Sequence, residues 1–157
     1  MESGAETLVP DAGEHSTIVV GVDGSQESRA ALRWTLAEAR LRGADVQAVY
    51  VWSIPVIPGR ELGPSYVLPI EDLRAEAGAV LDAVLADEVT DGVKVTPVVV
   101  EGNPADMLVE AGKEADLLVV GARGHGGFVG LLLGSVSDQV ARHASCPVVV
   151  VPDDREH

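Results

Sequence analysis

The sequence predicts an α/β domain built on a doubly wound parallel sheet. Three observations lead there. Apolar residues make up 46% of the 157 positions and aromatics only 3%, so the core must be Val, Leu, Ile and Ala. Strands rich in these residues suit a parallel sheet covered on both faces. Five short apolar runs alternate with four stretches of helical period, and strands joined by helical crossovers lie parallel. Each strand-to-helix joint carries turn or capping residues. The length fits one domain.

Residues 1–15 are polar and acidic and predict a disordered tail ahead of a domain over 16–152, with 153–157 as a second tail. Thr17 to Val22 reads as the first strand and Asp23-Gly24-Ser25 as its turn. Ser25 caps a helix with Glu27 in its first turn, and Gly43 ends it. Ala30, Trp34, Ala37 and Leu41 form the apolar stripe of that helix, with Arg29, Arg33 and Arg40 on another face. Asp45 to Val51 is the second strand. A long connection from Trp52 to Leu68 follows, of a length that is usually functional or mobile. Pro69 opens a helix at its first position, with Leu73, Ala77, Val80 and Val84 as the buried stripe and an acidic outer face. Val93 to Val100 is the third strand. Asn103 caps the next helix, with Pro104 at its first position, and this helix ends near Lys113. Asp116 to Val120 is the fourth strand. A glycine-rich loop leads to a fourth helix, for which Ser135 reads as N-cap with Asp138 at capping-box spacing. Pro147 to Val151 is the fifth strand.

Composition excludes several functions. Eleven basic against 25 acidic side chains leave a net charge of −14. Nucleic-acid affinity is largely phosphate neutralisation, so no nucleic-acid partner is expected, and the same sign argues against an anionic membrane surface. Cys146 is the only cysteine, so no internal disulfide and no cysteine metal cluster forms, and its place before a strand suits a small core residue. The N-terminus lacks signal-peptide character, and no run approaches a membrane span. These features predict a soluble cytoplasmic protein without membrane association.

The stretch from Ala115 to Val140 carries the chemistry. A buried strand, a loop with Gly121, Gly124, Gly126, Gly127, Gly130 and Gly134, and a helix start together make an anion site, because free N–H groups and the helix dipole converge there. It is not a Walker A loop: no lysine precedes Ser135, and the only lysines are Lys94 and Lys113. It is not a dinucleotide turn either, since Gly21-Val22-Asp23-Gly24 puts a carboxylate where a pyrophosphate would lie. What remains is the spacing Gly121-x2-Gly124-x9-Gly134-Ser135.

With that spacing the chain resembles the universal stress protein family, in its ATP-binding branch. The resemblance covers Ile18–Ser25 (IVVGVDGS), Val100–Leu108 (VEGNPADML), the GARGHGG and LLLGSVS segments, and CPVVVVP at the end. It implies a Rossmann-like sheet ordered 3-2-1-4-5 and carries over ATP contacts. Gly21, Val22 and Asp23 match the strand-one end beside the nucleoside, and Val51 a position whose backbone reads adenine. Val120, Gly121 and Gly124 match the ribose and phosphate side. Gly134, Ser135, Val136 and Ser137 match the triphosphate cradle. A homodimer through the fifth strand, Val148–Val151, is also implied.

Physical chemistry adds its own reading of these residues. Gly121 and Gly124 permit turns that a Cβ would obstruct, and Gly126 and Gly127 are counted with them among the ATP-binding residues of the loop. Ser135 and Ser137 offer hydroxyls, and Arg123 and His125 are the loop's cationic side chains. Asp23 offers a carboxylate to a ribose hydroxyl or a Mg²⁺ ion, and reads equally as a turn former. Asp138 is expected to face solvent, since inward it would repel phosphate. A valine edge strand left bare is an association hazard, which pairing with a second copy would remove. No residue is assigned a catalytic role: efficient phosphoryl transfer needs a positioned nucleophile and charge stabilisation that the site lacks. The expectation is an ATP-binding regulatory protein with at most slow hydrolysis. A nucleotide-free dimeric scaffold and a weak ATPase are the alternatives.

Overall fold

Five strands and four helices alternate along the chain: β1 (Thr17–Gly21), α1 (Gln26–Arg42), β2 (Asp45–Trp52), α2 (Ile70–Ala86), β3 (Val95–Glu101), α3 (Pro104–Gly112), β4 (Leu117–Gly121), α4 (Ser135–His143) and β5 (Val148–Val151). The structure is a computed structural model that describes residues 16–54, 69–123 and 133–152. The strands form one sheet in the order β3-β2-β1-β4-β5, and all four pairings are parallel. Both predicted tails, and residues 55–68 of the 52–68 connection, lie outside the described residues.

Alternation along the strands divides the core in two. On one face Ile18, Val20 and Val22 of the first strand and its turn join Val46, Ala48, Leu117 and Val119 beneath α1 and α2. On the other, Val19, Val49, Leu118 and Val120 pack under Ala105 and Leu108 of α3 and Val140 of α4. Central strands buried on both sides explain their unbroken apolar runs. Pro97 interrupts β3 without harm because β3 is an edge strand with only β2 beside it.

Of the predicted stripe of α1 only Ala30 is buried, Trp34 is half-buried, and Ala37 and Leu41 are exposed. Ala31, Leu32, Thr35, Leu36 and Ala39 are buried, whereas Leu41 is 84% exposed. Trp34, the largest apolar side chain of the helix, marks the margin of the packed face rather than its centre. Thr35 is tolerated inside because its hydroxyl donates to Ala31 O at 2.8 Å. In α2 the buried residues are Ala77, Leu81 and Val84, and Pro69 is the residue before the helix rather than its first turn.

The remaining joints match their chemistry. Ser25 accepts from Ser28 N–H at the start of α1, and Asn103 accepts from Asp106 N–H at the start of α3. Gly43 ends α1 in the left-handed region at φ 66°, which glycine adopts without penalty. The arginines of α1 hold the turn after α2. Arg29 pairs with Asp87 at 3.0 Å and Arg33 with Glu88 at 3.5 Å, while Arg40 donates to the carbonyls of Val89 and Asp91.

Candidate functional site: the crevice between β1 and β4

Strand order reverses at β1, whose neighbours are β2 and β4, and doubly wound sheets bind ligands beyond the carboxyl ends at such a point. Val20 lies opposite Val119, so Gly21 and Val120 come side by side at this edge. Val22 N–H donates to Val49 O at 2.8 Å. Val51, two residues on, turns its peptide groups to the same side, past the last β1 residue in the ladder. The side chains of Val22 and Val120 are core, 3% and 4% exposed, so any contact they make to a ligand is through backbone.

The first turn of α1 closes one wall. Asp23 Oδ1 accepts the Ser25 amide at 2.9 Å, and Asp23 N–H donates to Ser28 Oγ at 3.2 Å. The turn-former reading of Asp23 is thus realised. Gly121 sits directly under this turn: a Cβ there would stand 2.7 Å from Glu27 C and 2.8 Å from Glu27 O. The absence of a side chain at 121 therefore serves close packing of β4 against α1. The expectation that Gly121 permits a turn is corrected, since it closes β4 as its last strand residue and is not among the positive-φ glycines. Gly21 likewise faces Leu108, whose Cδ1 would lie 2.9 Å from an added Cβ.

The opposite wall is the start of α4. Gly134, not Ser135, is the N-cap: it is extended at φ −75° and ψ 169°, and it has no side chain with which to cap. Ser135 is the first helical residue, exposed, and the first helical bond runs from Asp138 N–H to Gly134 O at 2.9 Å. The amides of Ser135, Val136 and Ser137 thus have no acceptor within the helix and form its positive end. The capping-box reading fails because it placed the helix start one residue late. Asp138 pairs with Arg142 one turn on at 3.1 Å and is 44% exposed, turned away as expected.

Ala122 joins the two walls. Its N–H donates to Val151 O at 2.8 Å, and its carbonyl accepts Gly134 N–H at 2.7 Å. The same carbonyl accepts the Ser137 hydroxyl at 2.7 Å, and Ser137 is 3% exposed. Sequence reasoning missed Ala122, Glu27 and Ser28, because each acts through backbone or through a hydrogen bond invisible to a motif. Arg123 follows Ala122, half-buried. Gly124, His125, Gly126 and Gly127 lie outside the described residues.

Burial raises the pKa of the Tyr50 phenol, and the Asp23 and Glu76 carboxylates raise it further. Burial, then Asp116, also raises the Cys146 thiol, which fits a packing residue and not a nucleophile. Among the described residues no three His, Cys, Asp or Glu side chains gather as a metal site. Among the same residues no helix is long and apolar enough to cross a membrane.

The chain matches the family model described as the universal stress protein family over residues 14–152. A universal stress protein of Mycolicibacterium smegmatis is 41% identical over 137 residues, 85% of this chain and 45% of that protein. One of Methanocaldococcus jannaschii is 36% identical over 139 residues, 87% of this chain and 82% of that protein. The chain spans about half the length of the mycobacterial relatives, 45% to 48% of each. Among solved structures, UspA from Lactobacillus plantarum superposes with a TM-score of 0.69 at 25% identity, covering 88% of this chain and 99% of that one. A universal stress protein in complex with cAMP superposes at 0.58 with 31% identity, covering 89% and 98%. Together with the 3-2-1-4-5 sheet, these likenesses show that the chain belongs to the universal stress protein family.

Proposed function

We propose that this chain is an ATP-binding regulatory protein whose nucleotide occupies the β1/β4 crevice. The observation that carries the reading is the start of α4. Its first three amides, without acceptors inside the helix, follow Gly134, which is bonded to Ala122 at the β4 end, in the stretch that bears the Gly121-x2-Gly124-x9-Gly134-Ser135 spacing. A helix N-terminus with no side-chain cap favours a phosphate. Local donors are needed here, because a net charge of −14 gives the ligand no help from the overall field. A 31% identical universal stress protein structure holds cAMP, which supports an adenine nucleotide in this chain as well.

In this reading the adenine meets the backbone of Val51, and the nucleoside rests against Gly21, Val22 and Asp23. The phosphates run past Val120, Gly121, Arg123 and the loop residues Gly124, His125, Gly126 and Gly127 toward Gly134, Ser135, Val136 and Ser137. Mg²⁺ would arrive with the phosphates, held by them and by water with at most the Asp23 carboxylate from the protein. No step of efficient hydrolysis is assigned. The functional unit is residues 16–152, paired with a second copy through β5 at Val148–Val151, an edge strand whose outer side would otherwise be bare. Nucleotide binding would then shift the population of surfaces that partner proteins meet.

The test is a thermal melt of the protein with millimolar ATP-Mg, AMP and cAMP, repeated with Ser135→Glu. A carboxylate at the first position of α4 suits the helix dipole, by roughly 0.3–1 kcal/mol, while repelling phosphate. The variant is expected to melt at or slightly above the wild type without nucleotide and to lose the ATP shift. No shift in the wild type would sink the binding reading and leave the nucleotide-free scaffold.

A further inference from the structure

We propose that Ser137 is a positioning residue whose side chain fixes the angle between β4 and α4, and that its hydroxyl does not itself hold phosphate. The inference rests on the nucleotide reading and assigns a different role to one of its residues. The Ser137 hydroxyl lies 2.7 Å from Ala122 O and 3.1 Å from Gly134 O. A serine hydroxyl has one proton, and a phosphate oxygen at neutral pH can only accept. With that proton shared between two carbonyls, none is left for a ligand. The residue is also closed off, 3% exposed, whereas Ser135 is exposed at the first position of the helix.

The Ala122 carbonyl is a fixed post. Its own amide is bonded to Val151 O at 2.8 Å, so the peptide is tied to the sheet. Gly134 N–H and the Ser137 hydroxyl both close on this one carbonyl, which brings the chain back to where it left β4 at residue 122. The amides of Ser135 to Ser137 are aimed by this closure. Loosening it tilts the helix start and misdirects the donors without removing any of them. Ser135 and the amides then meet the ligand, while Ser137 sets where they point.

Amide hydrogen exchange at Gly134 in the nucleotide-free protein, together with ATP titration, separates the roles. Ser137→Ala removes one hydrogen bond at the carbonyl that Gly134 shares, so its amide is expected to exchange roughly two- to tenfold faster. ATP affinity should fall by a similar factor, and Ser137→Thr, which keeps the hydroxyl, should restore both. Ser135→Ala should weaken ATP while leaving Gly134 exchange at the wild-type rate. Weakened ATP with unchanged exchange in Ser137→Ala would make Ser137 a ligand and overturn the proposal. Faster exchange with unchanged ATP affinity would overturn it too, leaving the hydroxyl to the fold alone. If the wild type binds no ATP, the nucleotide reading fails, and a Gly134 amide untouched by Ser137→Ala would overturn the clamp independently.

Discussion

Substituting three glycines by alanine measures how far the glycine pattern belongs to packing and how far to a ligand. At Gly121 the new Cβ would meet the backbone of Glu27 at 2.7–2.8 Å, against about 3.5–4.0 Å for an unstrained contact. Backbone cannot rotate away, so α1 and β4 must part. Overpacking of this kind costs about 1–3 kcal/mol. At Gly21 the obstacle is Leu108 Cδ1 at 2.9 Å, the far end of a flexible side chain, so the cost is about 1 kcal/mol or less. At Gly78, inside α2, nothing lies within 4 Å, and alanine should gain about 0.5–1 kcal/mol from helix propensity. For a domain of this size each kcal/mol moves Tm by about 2–4 °C. Melting the nucleotide-free variants should therefore rank Gly78→Ala above wild type, Gly21→Ala slightly below it, and Gly121→Ala about 2–12 °C below. A Gly121→Ala variant that melts with the wild type and yet loses ATP would refute the packing argument and return Gly121 to the ligand alone.

Other perturbations follow from single contacts. Asn103→Ala removes the acceptor for Asp106 N–H at the start of α3 and should cost about 1 kcal/mol in a denaturant melt, with the slope unchanged. Tyr50 gives a pH dependence. Its pKa is raised in the fold, so the folded state keeps its proton longer than the unfolded chain does. The stability this contributes is complete below the ordinary phenol pKa of about 10 and is lost as pH rises through the higher folded value. Tyr50→Phe should flatten that part of the alkaline stability curve and leave neutral stability alone. Cys146, with its thiol raised above the ordinary range, should be alkylated by iodoacetamide more slowly at pH 8 than in the denatured chain. Equal rates would place it outside the core.

Most of the fold was legible because its signals are local. Short valine runs, Ser25, Gly43, Asn103 and Pro104 each mark an element or its end through their own backbone chemistry. The inward face of α1 was not legible: alanine fits either side of a helix, and Trp34 drew the stripe away from Leu32 and Leu36. The start of α4 lies one residue earlier than the sequence suggests, since a serine beside a glycine suggests a side-chain cap while the structure uses an uncapped glycine. Arg29, Arg33 and Arg40 read from the sequence as a charged face, but their partners at 87–91 are distant in sequence and carry no pattern. At the site, the sequence identified the right edge of the sheet and could not separate residues that touch a ligand from residues that shape the place for one.

That separation bears on how a glycine motif is read. Gly121 lacks a side chain because α1 crosses β4 there, and the strand ends where this crossing allows. Ala122 then leaves the ladder with its amide held by β5 and its carbonyl open to α4. The first glycine of the spacing and the last polar residue of the helix start, Ser137, are therefore set by the sheet and its helices, with or without nucleotide. Ser135 is exposed and carries no such packing duty, so variation at 135 should track nucleotide affinity while variation at 121 tracks stability. Paired melts with and without ATP-Mg read the two quantities separately, and a Ser135→Ala variant that lost stability but kept its ATP shift would reverse the assignment.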